Sequence, residues 1–75
     1  MNARDAMLEM LREYDGSIRS LTNAMGRAPG YLNNIINKSG APMTDTLAEV
    51  ANHCGYDLLL RRRIDDYEIP IDPLD

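Results

Sequence analysis

The sequence predicts a mainly α fold, with four short helices followed by a C-terminal β-hairpin or strand pair. Apolar residues recur every three or four positions as far as Gly55, and then at every second position. Glycine and proline separate the segments that carry these patterns. A chain of 75 residues forms one small domain, so we expect a dimer or a tightly packed helical unit. We assign residues 1–55 to the helical part and residues 56–75 to an extended tail with dimerisation strands.

The composition excludes several classes of protein. No apolar run is long enough to span a membrane and no secretory segment is visible, so cytoplasm is the expected location. Cys54 is the only cysteine, and with His53 it supplies too few ligands for a zinc site. One histidine and no nucleophile–base pair argue against an enzyme, and we expect no metal and no cofactor.

Helix 1 is predicted to begin after an Asn2 cap and to run to about Tyr14. Its apolar stripe has helical spacing and consists of Met7, Leu8, Leu11 and Tyr14. Its charged residues are assigned to the outer, solvated side: Arg4, Glu9, Arg12 and Glu13. This helix is expected to pack and to do little else.

Helices 2 and 3 form a pair separated by a glycine. Ser17 is the predicted cap of helix 2, and Gly26 is expected to leave that helix with a positive φ. Pro29 suits the first position of helix 3, which ends near Lys38. The inward residues of the pair are Ile18, Leu21, Met25, Leu32, Ile35 and Ile36, and the outward ones on helix 3 are Gly30, Asn33, Asn34 and Asn37.

Helix 4 is predicted to be capped by Thr44 or Asp45 and to stop at Gly55. From Tyr56 onward the alternation predicts two strands joined by a turn over residues 64–66. Pro70 confines the second strand to a sheet edge. The acidic residues of the turn do not follow a calcium-binding pattern, so they are not read as a metal site.

The charge distribution is uneven, although the formal net charge is -4. Between Gly16 and Pro42 there are three cationic residues and no acid, whereas the tail from Tyr56 carries six acids against three arginines. One face of the molecule can therefore be positive while the tail carries the acidity.

A helix, a glycine turn and a second helix, braced on either side, form the arrangement that presents its second helix to the DNA major groove. Here the sequence resembles the Xre, or Cro/cI-type, helix-turn-helix family. SIRSLTNAMG is similar to the family pattern S-x-x-x-L-A-x-x-x-G, and GYLNNIINKSG resembles S-Y-L-S-x-I-x-x-G. LAEVANHCGYDL is similar to the family's fourth-helix segment. The resemblance implies a lambda-repressor-like four-helix domain over residues 1–55.

The resemblance further implies DNA binding by helix 3, with the usual base readers falling on Pro29, Gly30 and Asn34. Because the first two have no side-chain donor or acceptor, direct readout falls on Asn34, with help from Asn33, Asn37 and Arg27. Phosphate contacts are then expected from Arg19, Asn37, Lys38, the hydroxyls of Ser17 and Ser39, and backbone N–H groups at the helix starts. Tyr31 is a further candidate DNA-binding residue.

Each assignment has a plainer alternative. The asparagines can form a solvated polar face, although three weak helix formers in five positions favour a specific reason for them. Tyr31 is expected to pack rather than to stack on a base. Residues 61–63, three consecutive arginines, are expected to be solvated or salt-bridged rather than to form a phosphate-binding arm.

The tail is predicted to assemble a homodimer, because two short strands make a marginal sheet that a partner can complete. The residues expected in the interface are Leu58, Leu60, Tyr67, Ile69 and Ile71. Such a dimer would place two helices 3 about 34 Å apart on a pseudo-palindromic operator. The sequence therefore predicts a dimeric, nucleoid-associated transcriptional regulator, most simply a repressor. The alternative is a helix-turn-helix protein-interaction module or antitoxin with weak or no DNA binding, whose tail contacts a toxin or another protein.

Overall fold

A computed structural model describes residues 1–74 of the chain. The described part contains α1 (Ala3–Glu13), α2 (Ile18–Ala24), α3 (Tyr31–Asn37) and α4 (Thr44–Cys54), followed by β1 (Leu59–Arg61) and β2 (Glu68–Pro70). The two strands form one antiparallel sheet. This order confirms the mainly α prediction with a C-terminal hairpin. None of the helices in the described residues combines the length and the apolar character needed to cross a membrane.

The core lies between two helix pairs, because α1 packs against α4 and α2 packs against α3. Each helix contributes most of the apolar side that its periodicity predicted, but on α1 Met10 is buried with Met7 and Leu11, whereas the predicted Leu8 is only partly buried and lies outside the core. The largest fully buried side chains are Met7, Leu21, Thr22, Leu32 and Val50. Full burial of an apolar side chain of this size contributes roughly 1.5–3 kcal/mol, so these few residues supply much of the stability.

Four predicted helix ends are confirmed by their hydrogen bonds or backbone angles. The Asn2 side chain accepts a hydrogen bond from the Asp5 N–H at 2.8 Å, and the Ser17 hydroxyl accepts one from the Ser20 N–H at 3.0 Å. Gly55 ends α4 in the left-handed region with φ 80°. Gly26 leaves α2 with φ 71°, as expected for the residue that turns the chain toward α3.

The predicted start of α3 at Pro29 is wrong, because the helix begins at Tyr31. Pro29 and Gly30 are the central residues of a turn in which the Tyr31 N–H donates to the Ala28 carbonyl at 2.9 Å. Gly30 has φ -88° and ψ 0°, the angles of the second central residue of a type I turn, and proline is favoured at the first. The proline therefore stiffens the entry to α3 from outside the helix.

The predicted cap of α4 is also wrong. Met43 is the residue that precedes the helix, and its side chain makes no capping hydrogen bond. Thr44 and Asp45 lie inside the first turn, where the negative charge of Asp45 still suits the positive end of the helix dipole. Side-chain type alone therefore placed the boundary one or two residues too late.

The two strands of the tail pair with each other within one chain and form a hairpin. The register sets Leu59 opposite Pro70, Leu60 opposite Ile69 and Arg61 opposite Glu68. The ladder continues at both ends, since the Ile71 N–H donates to the Leu58 carbonyl and the Arg62 N–H to the Tyr67 carbonyl, each at 2.8 Å. Hydrogen-bonded and non-hydrogen-bonded pairs alternate along an antiparallel ladder, and the Leu59–Pro70 pair is a non-hydrogen-bonded one. Pro70 therefore needs no N–H to donate to β1.

Candidate functional site

The outer face of α3 carries three exposed asparagines, Asn33, Asn34 and Asn37. Within residues 1–74 none of their side chains hydrogen-bonds to another group of the chain. Residues three and four apart share a face of a helix, so the three amides form one continuous polar surface. Each amide is free to offer one acceptor and two donor hydrogens to a partner.

The inner side of α3 fixes the direction in which these amides project. Leu32 is completely buried, and Ile35 and Ile36 are half-buried against the core. The exposed asparagines occupy the remaining part of the helix surface. If α3 rotated about its axis and moved the amides, these apolar side chains would become exposed to water. The free-energy cost of that exposure opposes the rotation.

The turn before α3 leaves the surface beside Asn34 open. Pro29 and Gly30 are both exposed. A Cβ atom placed on Gly30 would meet only the Asn34 Nδ2 atom, at 3.8 Å, which is an ordinary van der Waals distance. The packing of the chain therefore does not require glycine at this position. Because Gly30 has no side chain, the surface beside the Asn34 amide stays accessible to a partner.

Tyr31 is packed against the core, as its plainer interpretation predicts. Its ring is half-buried, and its hydroxyl lies 3.2 Å from the Thr46 hydroxyl on α4. This contact joins the first turn of α3 to α4. The expectation that Tyr31 contributes to DNA binding stays a prediction, and its hydroxyl is already engaged within the chain.

Arg27 lies just before the turn and forms a two-pronged ion pair with Glu49 of α4. The Arg27 Nη2 and Nε atoms lie 2.8 and 3.2 Å from the two carboxylate oxygens of Glu49. The hydrogen bond and the charge of Glu49 raise the pKa of Arg27, and the guanidinium lies 4.8 Å from the centre of the Tyr31 ring. One of the three positive charges in the acid-free stretch is therefore matched by an acid from another helix.

Arg4 does not lie on the solvated side of α1, and that prediction is wrong. It is half-buried, and its guanidinium crosses to the C-terminal end of α3. Nη2 donates to the Ile36 carbonyl at 2.8 Å and Nη1 donates to the Lys38 carbonyl. A cation at the end of a helix satisfies its last carbonyls and suits the negative end of its dipole. Arg4 thus holds α3 in place.

Two predicted phosphate-binding cations remain exposed, Arg19 on α2 and Lys38 at the end of α3. Neither makes an ion pair within residues 1–74. Ser17 is also exposed, but its hydroxyl oxygen already caps α2. Arg4 adds a positive charge beside Lys38 that the sequence did not predict for this face.

An open groove of about 570 Å³ adjoins the C-terminal half of α3. The side of Ile35, the Pro42–Met43 loop and the start of α4 form its walls. Two of the three hydroxyl groups among its lining residues, those of Tyr31 and Thr46, are hydrogen-bonded to each other, and Ser39 carries the third. The groove therefore offers a mainly apolar surface beside the asparagine face.

The hairpin carries a second exposed surface of a different kind. The strand register and the alternation of side chains place the five predicted interface residues on one side of the ribbon. Leu58 and Ile71 are half-buried at its base, whereas Leu60, Tyr67 and Ile69 are 60, 57 and 52 % exposed. Three large apolar side chains thus face solvent in the single chain, which is typical of an interaction surface when they are contiguous.

The arginines of the hairpin are largely occupied within it. Arg62 pairs with both carboxylate oxygens of Asp65 at 2.7 and 2.9 Å, and its hydrogen bond lowers the pKa of Asp65. Arg61 approaches Asp66 at 3.8 Å. These contacts agree with the salt-bridged interpretation. Arg63 has no ion pair within residues 1–74.

Comparison with protein-family models, with curated proteins and with solved structures found no match to this chain. The resemblance to the Xre family therefore stays a prediction from the sequence.

Proposed function

We propose that this protein is a sequence-specific DNA-binding regulator of helix-turn-helix type that places the outer face of α3 in the major groove. The observation that carries the proposal is the asparagine face: Asn33, Asn34 and Asn37 are exposed and project from a helix that the core holds fixed. The segment from Ser17 to Ala41 contains no acid that would repel phosphate. A short helix can enter the major groove, where base edges present distinct hydrogen-bond patterns.

Asn34 is the main base reader in this proposal. The asparagine NH₂ group can donate to N7 of one adenine while its carbonyl oxygen accepts from the N6 amino group, and such a bidentate contact contributes roughly 1–3 kcal/mol of discrimination. Because Gly30 has no side chain, the turn at Pro29 and Gly30 leaves room for the bases of the DNA major groove to approach this amide. Asn33 and Asn37 flank it on the same face and serve neighbouring bases or phosphates.

Phosphate contacts then come from the exposed cations at the ends of the two helices. Arg19 near the start of α2 and Lys38 after α3 are free to bind phosphate. Backbone N–H groups at the helix starts add to these contacts. Because few cations are available, the affinity depends on a second copy, and we propose a homodimer on a pseudo-palindromic operator that acts by blocking transcription.

A salt titration of binding to random and promoter DNA tests the proposal. We expect the protein to bind DNA at low salt. The logarithm of the binding constant should fall linearly with the logarithm of the salt concentration, because phosphate binding releases counterions. Arg19→Gln should weaken binding to all sequences alike. It should also make the salt dependence less steep by about 0.9 in the logarithmic slope, the contribution of one phosphate contact. Asn34→Ala should instead weaken binding to the preferred sequence about 5- to 150-fold and leave random DNA nearly unchanged.

Asn52→Ala is a matched control for Asn34→Ala, since Asn52 is an exposed asparagine on α4, away from this face. It should bind both DNAs like the parent chain. Absence of retention on DNA at low salt, by a chain that is folded by circular dichroism, would contradict DNA binding.

A second candidate function is protein interaction by the same fold, including the role of an antitoxin. It is favoured by the Arg27–Glu49 pair, which removes a cation from the asparagine face, and by the net charge of -4. This candidate predicts an interface at the apolar side of the hairpin and little dependence on DNA. The salt titration separates the two, because only DNA binding makes the steep slope.

A further inference from the structure

The two edges of the hairpin differ in their capacity to bind another strand. In the observed register, Leu58, Leu60 and Arg62 direct their N–H and C=O groups toward β2. Leu59 and Arg61 therefore direct theirs to the free edge of β1. No other part of residues 1–74 accepts a hydrogen bond from these two N–H groups. The β1 edge is thus an unpaired template for a further strand.

The free edge of β2 is protected. Pro70 is the residue whose nitrogen would face outward there, and proline has no N–H to donate. Glu68 adds a negative charge at the same edge. Proline and charged residues are the usual means by which a sheet edge is kept from pairing. The β1 edge also carries a charge, on Arg61, but both of its outward residues keep an N–H, whereas Pro70 has none. A strand that extends this sheet is therefore expected to join at β1.

We propose that the strand that joins is β1 of a second copy, antiparallel, with Leu60 of both copies on the two-fold axis. The inference rests on the dimer proposed above and assigns its edge and register. Centring on Leu60 pairs every residue of β1, because Leu59 then faces the other copy's Arg61 and the two Leu60 residues face each other. Two-fold pairing of one strand with its own copy requires an antiparallel arrangement.

The charges of this segment favour the same arrangement. An acid, Asp57, precedes the three leucines, and three arginines follow them. Antiparallel pairing about Leu60 brings Asp57 toward the other copy's Arg63, and within residues 1–74 neither residue has an ion pair. Centring one residue later would set Arg61 directly against Arg61, and like charges directly opposite are destabilising.

Pairing at β1 also uses the exposed apolar side of the ribbon. Leu60 and Ile69 lie opposite each other on one hairpin, so the dimer forms the row Ile69, Leu60, Leu60, Ile69 across four strands. Opposed side chains in neighbouring strands have Cβ atoms about 4.5–5.5 Å apart. Leu60, which is 60 % exposed in the single chain, becomes the centre of that row.

Disulfide trapping of the full chain tests the edge and the register. Cys54 is first replaced by alanine, and single cysteines are introduced as Leu59→Cys, Leu60→Cys and Ile69→Cys. At the centre of the two-fold the Leu60 positions are a non-hydrogen-bonded pair with Cα atoms about 4.5 Å apart, within disulfide range. The two Ile69 positions lie three strand spacings apart, roughly 14 Å, which no disulfide can bridge.

We expect Leu60→Cys to form covalent dimers under mild oxidation and Ile69→Cys to stay monomeric on a non-reducing gel. The two side chains are similarly exposed, so the difference reports position and not access. Faster cross-linking at Leu59 would overturn the register, and cross-linking at Ile69 would overturn the edge. A chain that sediments as a monomer at every concentration would overturn the interface altogether.

A charge exchange provides an independent measurement. Asp57→Arg and Arg63→Asp should each weaken dimerisation about two- to fivefold, and the double variant should recover most of the loss. Losses that simply add would contradict the pairing. Both experiments are done without DNA. If they show no pairing of β1, the proposal that α3 binds DNA is unaffected. If the protein does not bind DNA in the salt titration, the proposed pairing of β1 is unaffected.

Discussion

At the scale of single residues, the Arg27–Glu49 pair controls how much positive charge is free beside α3. We predict that Glu49→Gln increases affinity for random DNA, because an amide does not hold the guanidinium as a carboxylate does. Arg27 can then bind a phosphate. The salt dependence of binding should become steeper by about 0.9 in the logarithmic slope, the contribution of one further phosphate contact.

Arg27→Gln is the control for this effect. In that background Glu49→Gln should leave the slope unchanged, since there is no guanidinium to release. An unchanged slope for Glu49→Gln in the parent chain would mean that Arg27 does not reach DNA. Arg27 would then belong to the structural contacts between the turn and α4, with Tyr31 and Thr46.

At the scale of the elements, α3 depends on a contact from α1. Arg4→Met keeps the apolar stem but removes the hydrogen bonds to the Ile36 and Lys38 carbonyls. Hydrogen bonds to a charged group contribute about 1.5–3 kcal/mol, so we expect a loss of this order in the free energy of unfolding measured with urea. DNA affinity should fall as well, because the end of α3 loses its support.

Arg12→Met is the matched control, since Arg12 lies on the same helix and its side chain is 68 % exposed beside Glu9. It should change the unfolding free energy by less than about 0.5 kcal/mol. Equal losses for the two variants would show that the Arg4 contact does not stabilise α3.

The turn between α2 and α3 depends on Gly26, whose φ of 71° is unfavourable for residues with a Cβ atom. Gly26→Ala should lower the unfolding free energy by about 1–2 kcal/mol, and Gly26→Asn by less, because asparagine tolerates this region better. The surroundings do not contribute, since no atom lies within 4 Å of an added Cβ. Gly40→Ala, equally unhindered and without a positive φ, should cost little, and a similar loss there would contradict this explanation.

The sequence predicted those elements that depend on local order. Helical spacing located four buried sides, and alternation located the hairpin, because each pattern reflects one face of one element. Arg4 and Arg27 were not predicted in their observed roles. Their partners lie 32, 34 and 22 positions away, and only the packing of the helices brings them together. The cap of α4 was misplaced because a backbone turn can begin a helix without a side-chain cap.

At the scale of the whole molecule, the two exposed surfaces have different chemistry and so different proposed partners. One copy carries a single α3, so it can present that helix to only one of two half-sites about 34 Å apart. The polar face of α3 suits nucleic acid, whereas the apolar side of the hairpin suits protein. A dimer joined at the hairpins would let each α3 bind one half-site, and the second contact would then raise the affinity of the first.

Leu60→Ser tests whether DNA binding depends on this assembly. We predict that it weakens binding to DNA with two inverted half-sites by at least about tenfold, because each copy must then bind alone and the gain from linkage is lost. Binding to DNA with a single half-site should change little, since Leu60 is distant in the chain from α3. Leu74→Ser is the matched control, as Leu74 is another exposed leucine of the tail, with 80 % of its surface accessible against 60 % for Leu60. Both affinities can be measured by fluorescence anisotropy at fixed salt, with sedimentation velocity of the same samples. An equal loss on both DNAs would place the effect in the fold of the monomer, and no loss on either would show that the hairpin does not couple two copies on DNA.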